Sequence, residues 1–153
     1  MFNLKAEFYL KIIFLFSFIA LISAFFIEYI LGHQPCNLCL IERIPYGLSI
    51  MIIMAIFLIR KNQKFLVMLL ILTFIFSFAI SFYHFGIEQG FFQESSVCGV
   101  KSSTEIVTKE DLLKQLSEKT ISCKDVTFRI FGLSLTSINI VVSLLFIITL
   151  FKI

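Results

Sequence analysis

The sequence predicts an all-α membrane protein, a bundle of four transmembrane helices with one long polar loop. Two observations carry that prediction. Of 153 residues, 59% are apolar and the mean hydropathy is +0.99, well above what a soluble globular domain carries. The apolar residues also gather into four continuous runs without strand-like alternation. Each run is close to the roughly 20 residues that a helix, rising about 1.5 Å per residue, needs to cross the hydrocarbon core.

The first run covers about 12–31 and is interrupted only by Glu28 near its end. It is longer than the apolar core of a secretion signal, and no small-x-small cleavage site follows before the cysteines, so it reads as a retained span. The second covers about 40–59 with Glu42 and Arg43 at its start, and the third about 65–85 with His84 near its end. The fourth, about 130–151, is free of charge. Between the last two lies a polar segment, about 86–129, and the whole chain, 1–153, forms one membrane domain. Within that segment Thr108 followed by Asp111 resembles a helix N-terminal cap, and Leu112, Leu113 and Leu116 then recur at helical spacing. A short amphipathic helix over 109–119 is expected there, its leucines against the membrane surface or the bundle.

Charge sets the orientation. Lys5, Lys11, Arg60, Lys61, Lys64 and Lys152 fall at the two termini and the second connection, which four spans put on one side. Only Arg43 lies at the short connection opposite, so both termini are expected in the cytoplasm. The polar segment carries six Lys/Arg against seven Asp/Glu, a weaker signal that does not oppose this. No basic patch is interleaved with aromatics, so nucleic acid is not among the expected partners.

This orientation gathers all four cysteines on the extracytoplasmic face, where disulfides form and persist. Cys36 and Cys39 form a C-x-x-C between the first two spans, and Cys98 and Cys123 lie in the polar segment. Pro35 suits the first turn of a helix; if a helix begins there, Cys36 and Cys39 share one face near its positive end. Arg43, one turn beyond Cys39, adds a permanent charge that would lower the Cys39 thiol and favour redox chemistry. Pro45 is expected to kink that helix or delay its regular start. The competing reading is a structural zinc site using all four cysteines, but Cys98 and Cys123 form no second knuckle and no metal is expected. Glu42 and Arg43 also fit a simple interfacial ion pair. His84 ends the third span beside this face and would be placed to donate a hydrogen bond to a bound carbonyl. His33 and Glu28 lie near the same surface without a spacing argument, and Tyr46 and Tyr83 suit an interfacial aromatic belt.

The string from Gln34 to Tyr46, containing Cys36-Asn37-Leu38-Cys39-Leu40-Ile41-Glu42-Arg43, closely resembles the signature of the bacterial DsbB family. So do Tyr83-His84-Phe85-Gly86-Ile87-Glu88, the spaced Cys98 and Cys123, and the stretch from Phe131-Gly132-Leu133-Ser134 to Asn139. The resemblance covers nearly the whole chain. It implies a quinone-linked inner-membrane oxidase with its cysteines in the periplasm, reoxidising a thioredoxin-like, DsbA-like dithiol protein. Cys36 and Cys39 would be the quinone-coupled pair, with Cys39 facing the quinone, either ubiquinone or menaquinone. Arg43 matches the family's quinone-site arginine, and His84 lies where the family can place a histidine near the quinone. Cys98 would be attacked by the dithiol partner, and Cys123 would exchange with Cys36.

Two other readings stand beside this. A vitamin K epoxide reductase-like protein shares the chemistry, but its loop cysteines precede the C-x-x-C, whereas here they follow it. A non-catalytic membrane scaffold would use the loop cysteines for a structural disulfide or zinc site.

Overall fold

The computed structural model describes residues 4–59, 62–93, 98, 123–124, 129–130 and 133–152. The amphipathic helix expected at 109–119 lies outside them. Four helices carry the described fold: α1 (Leu4–Tyr29), α2 (Asn37–Leu58), α3 (Gln63–Glu88) and α4 (Leu135–Phe151). The first three are long and apolar enough to cross a membrane. α4 is apolar but has 17 residues. α1 starts well before its apolar run, because Lys5, Glu7 and Lys11 lower hydropathy without opposing a helix. α4 starts later than its run, because β1 (Arg129–Ile130) and β2 (Leu133–Ser134) first pair antiparallel, Arg129 opposite Ser134 and Ile130 opposite Leu133. Ser134 then caps α4, its Oγ accepting the Ser137 N–H at 3.2 Å.

α3 packs on both α2 and α4, while α1 lies on α2. The buried face of α3 runs Val67, Leu70, Phe74, Ser77, Ser81 and His84, in steps of three and four. α4 buries Thr136, Asn139 and Ser143 at the same spacing, and α1 buries Ala6, Leu10, Ile13 and Ser17. Large apolar side chains such as Phe18, Met51, Phe76 and Leu145 point outward. This inverts the pattern of a soluble bundle. In lipid, apolar burial does not drive helices together, so small and hydrogen-bonding residues mark the packed face.

Asn139 is the hub of that face. Its Nδ2 donates to Glu42 Oε2 at 3.0 Å and to Ser81 Oγ at 2.7 Å, and its Oδ1 accepts from the Tyr46 hydroxyl. Ser143 donates to Ser77 at 3.1 Å and Ser49 to Ser17 at 3.0 Å, so each neighbouring helix pair has a polar tie. Further from the cysteines an apolar cluster takes over, including Leu10, Ile53, Ile56, Leu70, Phe74 and Leu150. Phe74 and Phe146 meet edge-on there at 5.0 Å.

At the cysteine end of α3, Gly90 takes a positive φ of 78°, which a side chain would oppose, and the chain folds back. Phe91 and Phe92 N–H groups donate to the Gly86 carbonyl at 2.8 and 3.1 Å. The Phe92 ring stacks on Tyr83 over Gly86, where an added Cβ would fall 2.1 Å from that ring.

Replacing Asn139 by Leu removes the partner of Tyr46, Ser81 and one Glu42 oxygen together. Interhelical hydrogen bonds in membranes average about 0.6 kcal/mol, and a buried polar group left unpaired costs about 1–3 kcal/mol. Asn139→Leu is therefore expected to destabilise the bundle by about 2 kcal/mol, against about 0.6 kcal/mol for Ser77→Ala. Thermal unfolding in detergent measures both, and equal midpoints for the two variants would remove Asn139 from its place as hub.

Candidate active site

Cys36 is the N-cap of α2, and its Sγ accepts the Cys39 N–H at 3.3 Å. The helix thus starts two residues after Pro35 and runs through the buried Pro45 without a break in its assignment. One turn separates the two cysteines, whose sulfurs lie 2.6 Å apart as free thiols. With His84 they form a group whose ligand atoms all lie within 4.8 Å of one another. Cys98 and Cys123 are joined to each other as a disulfide, with Cα atoms 5.5 Å apart, and supply no metal ligands.

The two cysteines of the C-x-x-C face different surroundings. Cys36 is packed in one buried cluster with Cys98, Cys123, Leu38 and Ile87. Cys39 borders a cavity of about 360 Å³ between α1 and α4. Phe16, Ala20, Ala24 and Ile27 of α1 and Leu135, Ile138 and Val142 of α4 line its apolar length. Its polar end holds His33, Gln34, Glu42 and Arg43 beside Cys39. Phe16 meets Phe146 edge-on at 5.3 Å across the far end. Arg43 is fixed by an ion pair with Glu28 and lies 5.4 Å from the centre of the Phe25 ring.

Behind Cys36 stands His84, buried, with Nε2 at 3.6 Å from Sγ. Its Nδ1 lies 2.8 Å from Glu42 Oε1 and 3.3 Å from the Thr136 hydroxyl. Thr136 donates to Glu88 Oε1 at 2.7 Å, and the other Glu88 oxygen is buried without a hydrogen-bond partner among the described residues. The Cys36 thiol is lowered to about 4, first by the hydrogen bond from the Cys39 side chain. The hydrogen bond and charge of His84 and the Cys39 N–H add to this, against the opposing effect of burial. A sulfur so held is a stable thiolate and a good leaving group in disulfide exchange.

The family described as "Disulfide bond formation protein DsbB" matches residues 6–153. The chain belongs to the DsbB family. It is also 32% identical over 130 residues to the uncharacterized protein RP370 of Rickettsia prowazekii (strain Madrid E), covering 84% of this chain and 76% of that protein. No solved structure matches it. DsbB membership, with its long apolar helices, makes this a multi-pass membrane oxidoreductase of the disulfide-generating kind.

Within this DsbB-family chain the structure gathers Cys36, Cys39, Arg43, His84, Cys98 and Cys123 at one end of the bundle. Cys39 and Arg43 border the cavity, Cys98 and Cys123 adjoin Cys36, and His84 touches Cys36 without lining the cavity. The sulfur with the lowered pKa is Cys36, whereas the sequence directs attention to Cys39 through Arg43. Thr136, Glu88 and Asn139 had no assigned role, and Glu28 and Glu42 had only weak ones. Their signal in the sequence is polar residues recurring every three or four positions inside apolar spans, joined by Glu28 one helix away.

Because the Cys36 pKa is depressed, its thiolate is present above about pH 4 and lost as pH falls through that value. Alkylation of Cys36 in the reduced protein is expected to be flat from about pH 5 upward, where an ordinary thiol near 8.5 would still be climbing. Timed maleimide labelling with peptide mass spectrometry reads this directly. A tenfold rise per pH unit between about 6 and 8 would contradict it.

Proposed function

We propose that this protein is an inner-membrane protein-dithiol:quinone oxidoreductase, oxidising a periplasmic, thioredoxin-like dithiol protein of the DsbA type. The observation that carries the reading is the position of the C-x-x-C. One sulfur, Cys36, adjoins the Cys98–Cys123 disulfide, and the other, Cys39, borders a cavity between α1 and α4. Both termini then lie in the cytoplasm and the cysteines in the periplasm, in agreement with the basic residues around α1–α4.

The cavity suits a quinone. Its volume, about 360 Å³, lies within the range of small-molecule sites, and its lining is mostly apolar along α1, where Ser23 is the exception, with most polar groups towards the cysteine end. Arg43, Gln34 and Cys39 would hold the ring end, and the bound quinone supplies the two-electron acceptor. Glu28 and Phe25 hold the Arg43 guanidinium in place before anything binds.

The dithiol partner attacks Cys98, opening the Cys98–Cys123 bond and leaving Cys123 as the thiolate. The partner's second thiol then displaces Cys98, so the partner departs with a disulfide and Cys98 and Cys123 are both reduced. Cys123 next attacks Cys36 in an oxidised C-x-x-C, expelling Cys39, and Cys98 attacks Cys123 to expel Cys36. The depressed Cys36 thiol favours that last departure. The loop disulfide is restored and the C-x-x-C is left as a dithiol. Cys98 is only 1% exposed, so the partner reaches it after it leaves the cluster with Leu38 and Ile87.

Either Cys36→Ser or Cys39→Ser is expected to abolish quinone reduction by the purified protein supplied with reduced partner. Ubiquinone and menaquinone assayed in parallel identify the acceptor. Cys123→Ser, mixed with the partner in its disulfide form, is expected to accumulate a mixed disulfide in which the Cys98 thiolate has opened the partner's disulfide, visible on non-reducing gels. Full turnover by either C-x-x-C variant would overturn the assignment, and a missing adduct would favour a structural disulfide.

A further inference from the structure

We propose that His84 and Glu42 form a proton path from the Cys36 sulfur to the cavity, carrying the Cys36 proton to the place where the electrons go. The proposal rests on the quinone-reducing function above and adds two proton-transfer residues to it.

The need for a path follows from the balance of the reaction. Oxidising the Cys36–Cys39 dithiol to its disulfide forms one S–S bond and releases, overall, two electrons and two protons. Those are the two electrons and two protons that convert a quinone into its quinol. Because Cys36 rests as a thiolate, the proton on its side has already passed to the hydrogen-bonded groups beside it before the S–S bond closes. The Cys39 proton starts at the edge of the cavity, but Cys36 does not line it. Cys36 is buried beside Leu38, Ile87 and the loop disulfide, at 6% exposure, so its proton must leave through the groups hydrogen-bonded to the sulfur.

The imidazole supplies the exit. Nε2 faces Cys36 Sγ at 3.6 Å and Nδ1 faces Glu42 Oε1 at 2.8 Å. One proton can be accepted at Nε2 while another leaves from Nδ1, so His84 transmits a proton without turning over. Glu42 spans the remaining distance: it receives His84 on one oxygen, Asn139 on the other, and borders the cavity. Asn139 fixes the carboxylate but carries no proton along the path, since its Nδ2 only donates.

The groups facing His84 from all packed elements are few. From α2 come Cys36 and Glu42, from α3 Glu88, whose Oε1 is 3.9 Å from Nε2, and from α4 Thr136. Two carboxylates therefore flank one imidazole. Only Glu42 reaches the cavity, and Glu88 does not line it. That difference makes the proposal testable by a matched pair of substitutions.

The rate of Cys36–Cys39 disulfide formation is measured in a single turnover of the full-length protein with ubiquinone. Glu42→Gln keeps the side-chain size and its contact with His84 but cannot carry a proton. It is expected to slow the step by roughly 100-fold, the scale of one positioned acid–base group, with quinone KM unchanged. Glu42→Asp is expected to recover part of the loss, and Glu88→Gln to stay near the wild-type rate. Infrared difference spectra between the dithiol and disulfide states, recorded without quinone, should show a Glu42 carboxyl band that Glu42→Gln removes. The wild-type step should also slow in D2O, which tests the path even where Glu42→Gln fails to fold. A wild-type rate in Glu42→Gln, an equal loss in Glu88→Gln, or no slowing in D2O would overturn the path. Failure of the wild-type chain to reduce any quinone would instead overturn the function on which it rests.

Discussion

The hydrogen bonds that converge on Glu42 hold the rest of the structure in place. One oxygen takes His84 from α3 and the other takes Asn139 from α4, so a single carboxylate of α2 ties three helices. In lipid the apolar faces gain little from leaving one membrane neighbour for another, which gives such polar ties the task of choosing partners and register. Asn139 passes the constraint to Tyr46 and Ser81, and Ser143 passes it on to Ser77. The site is therefore also the packing determinant. Its geometry and the bundle's register cannot be changed independently.

That register is what separates the two cysteines. A one-turn spacing at the start of α2 would ordinarily leave both sulfurs in one environment. Here the N-cap position turns Cys36 towards α3 and the loop disulfide, while Cys39, inside the first turn, borders the space between α1 and α4. Neighbouring Glu42 and Arg43 diverge in the same way. Consecutive residues on a helix point about 100° apart, so Glu42 enters the bundle and Arg43 meets Glu28 of α1.

Much of this was legible in the chain. The four apolar runs overlap the four helices because continuous hydropathy reports lipid contact, and the C-x-x-C with Arg43 marks the chemical end. Bounds were less legible, since Lys5 and Glu7 are helical without being apolar and Arg129–Ile130 pairs with Leu133–Ser134 as short strands before α4. Glu42 read as an interfacial partner of Arg43 because adjacency in sequence hides opposite directions on a helix. The Glu28–Arg43 pair joins residues across the turn between α1 and α2, where no periodicity points. Pro45 suggested a late or broken α2, yet the assigned helix starts at Asn37 and passes through it.

Phe16, which lines the far end of the cavity, meets Phe146 edge-on there. From Ile27 to Phe16 is eleven residues of helix, about 16 Å at 1.5 Å per residue. An acceptor with a long isoprenoid chain cannot be housed whole in that depth, and the remainder must pass out sideways between α1 and α4 into the bilayer. Under the proposed quinone-reducing reading, the protein would enclose only the ring and the first units of the tail, and the bilayer would store the rest.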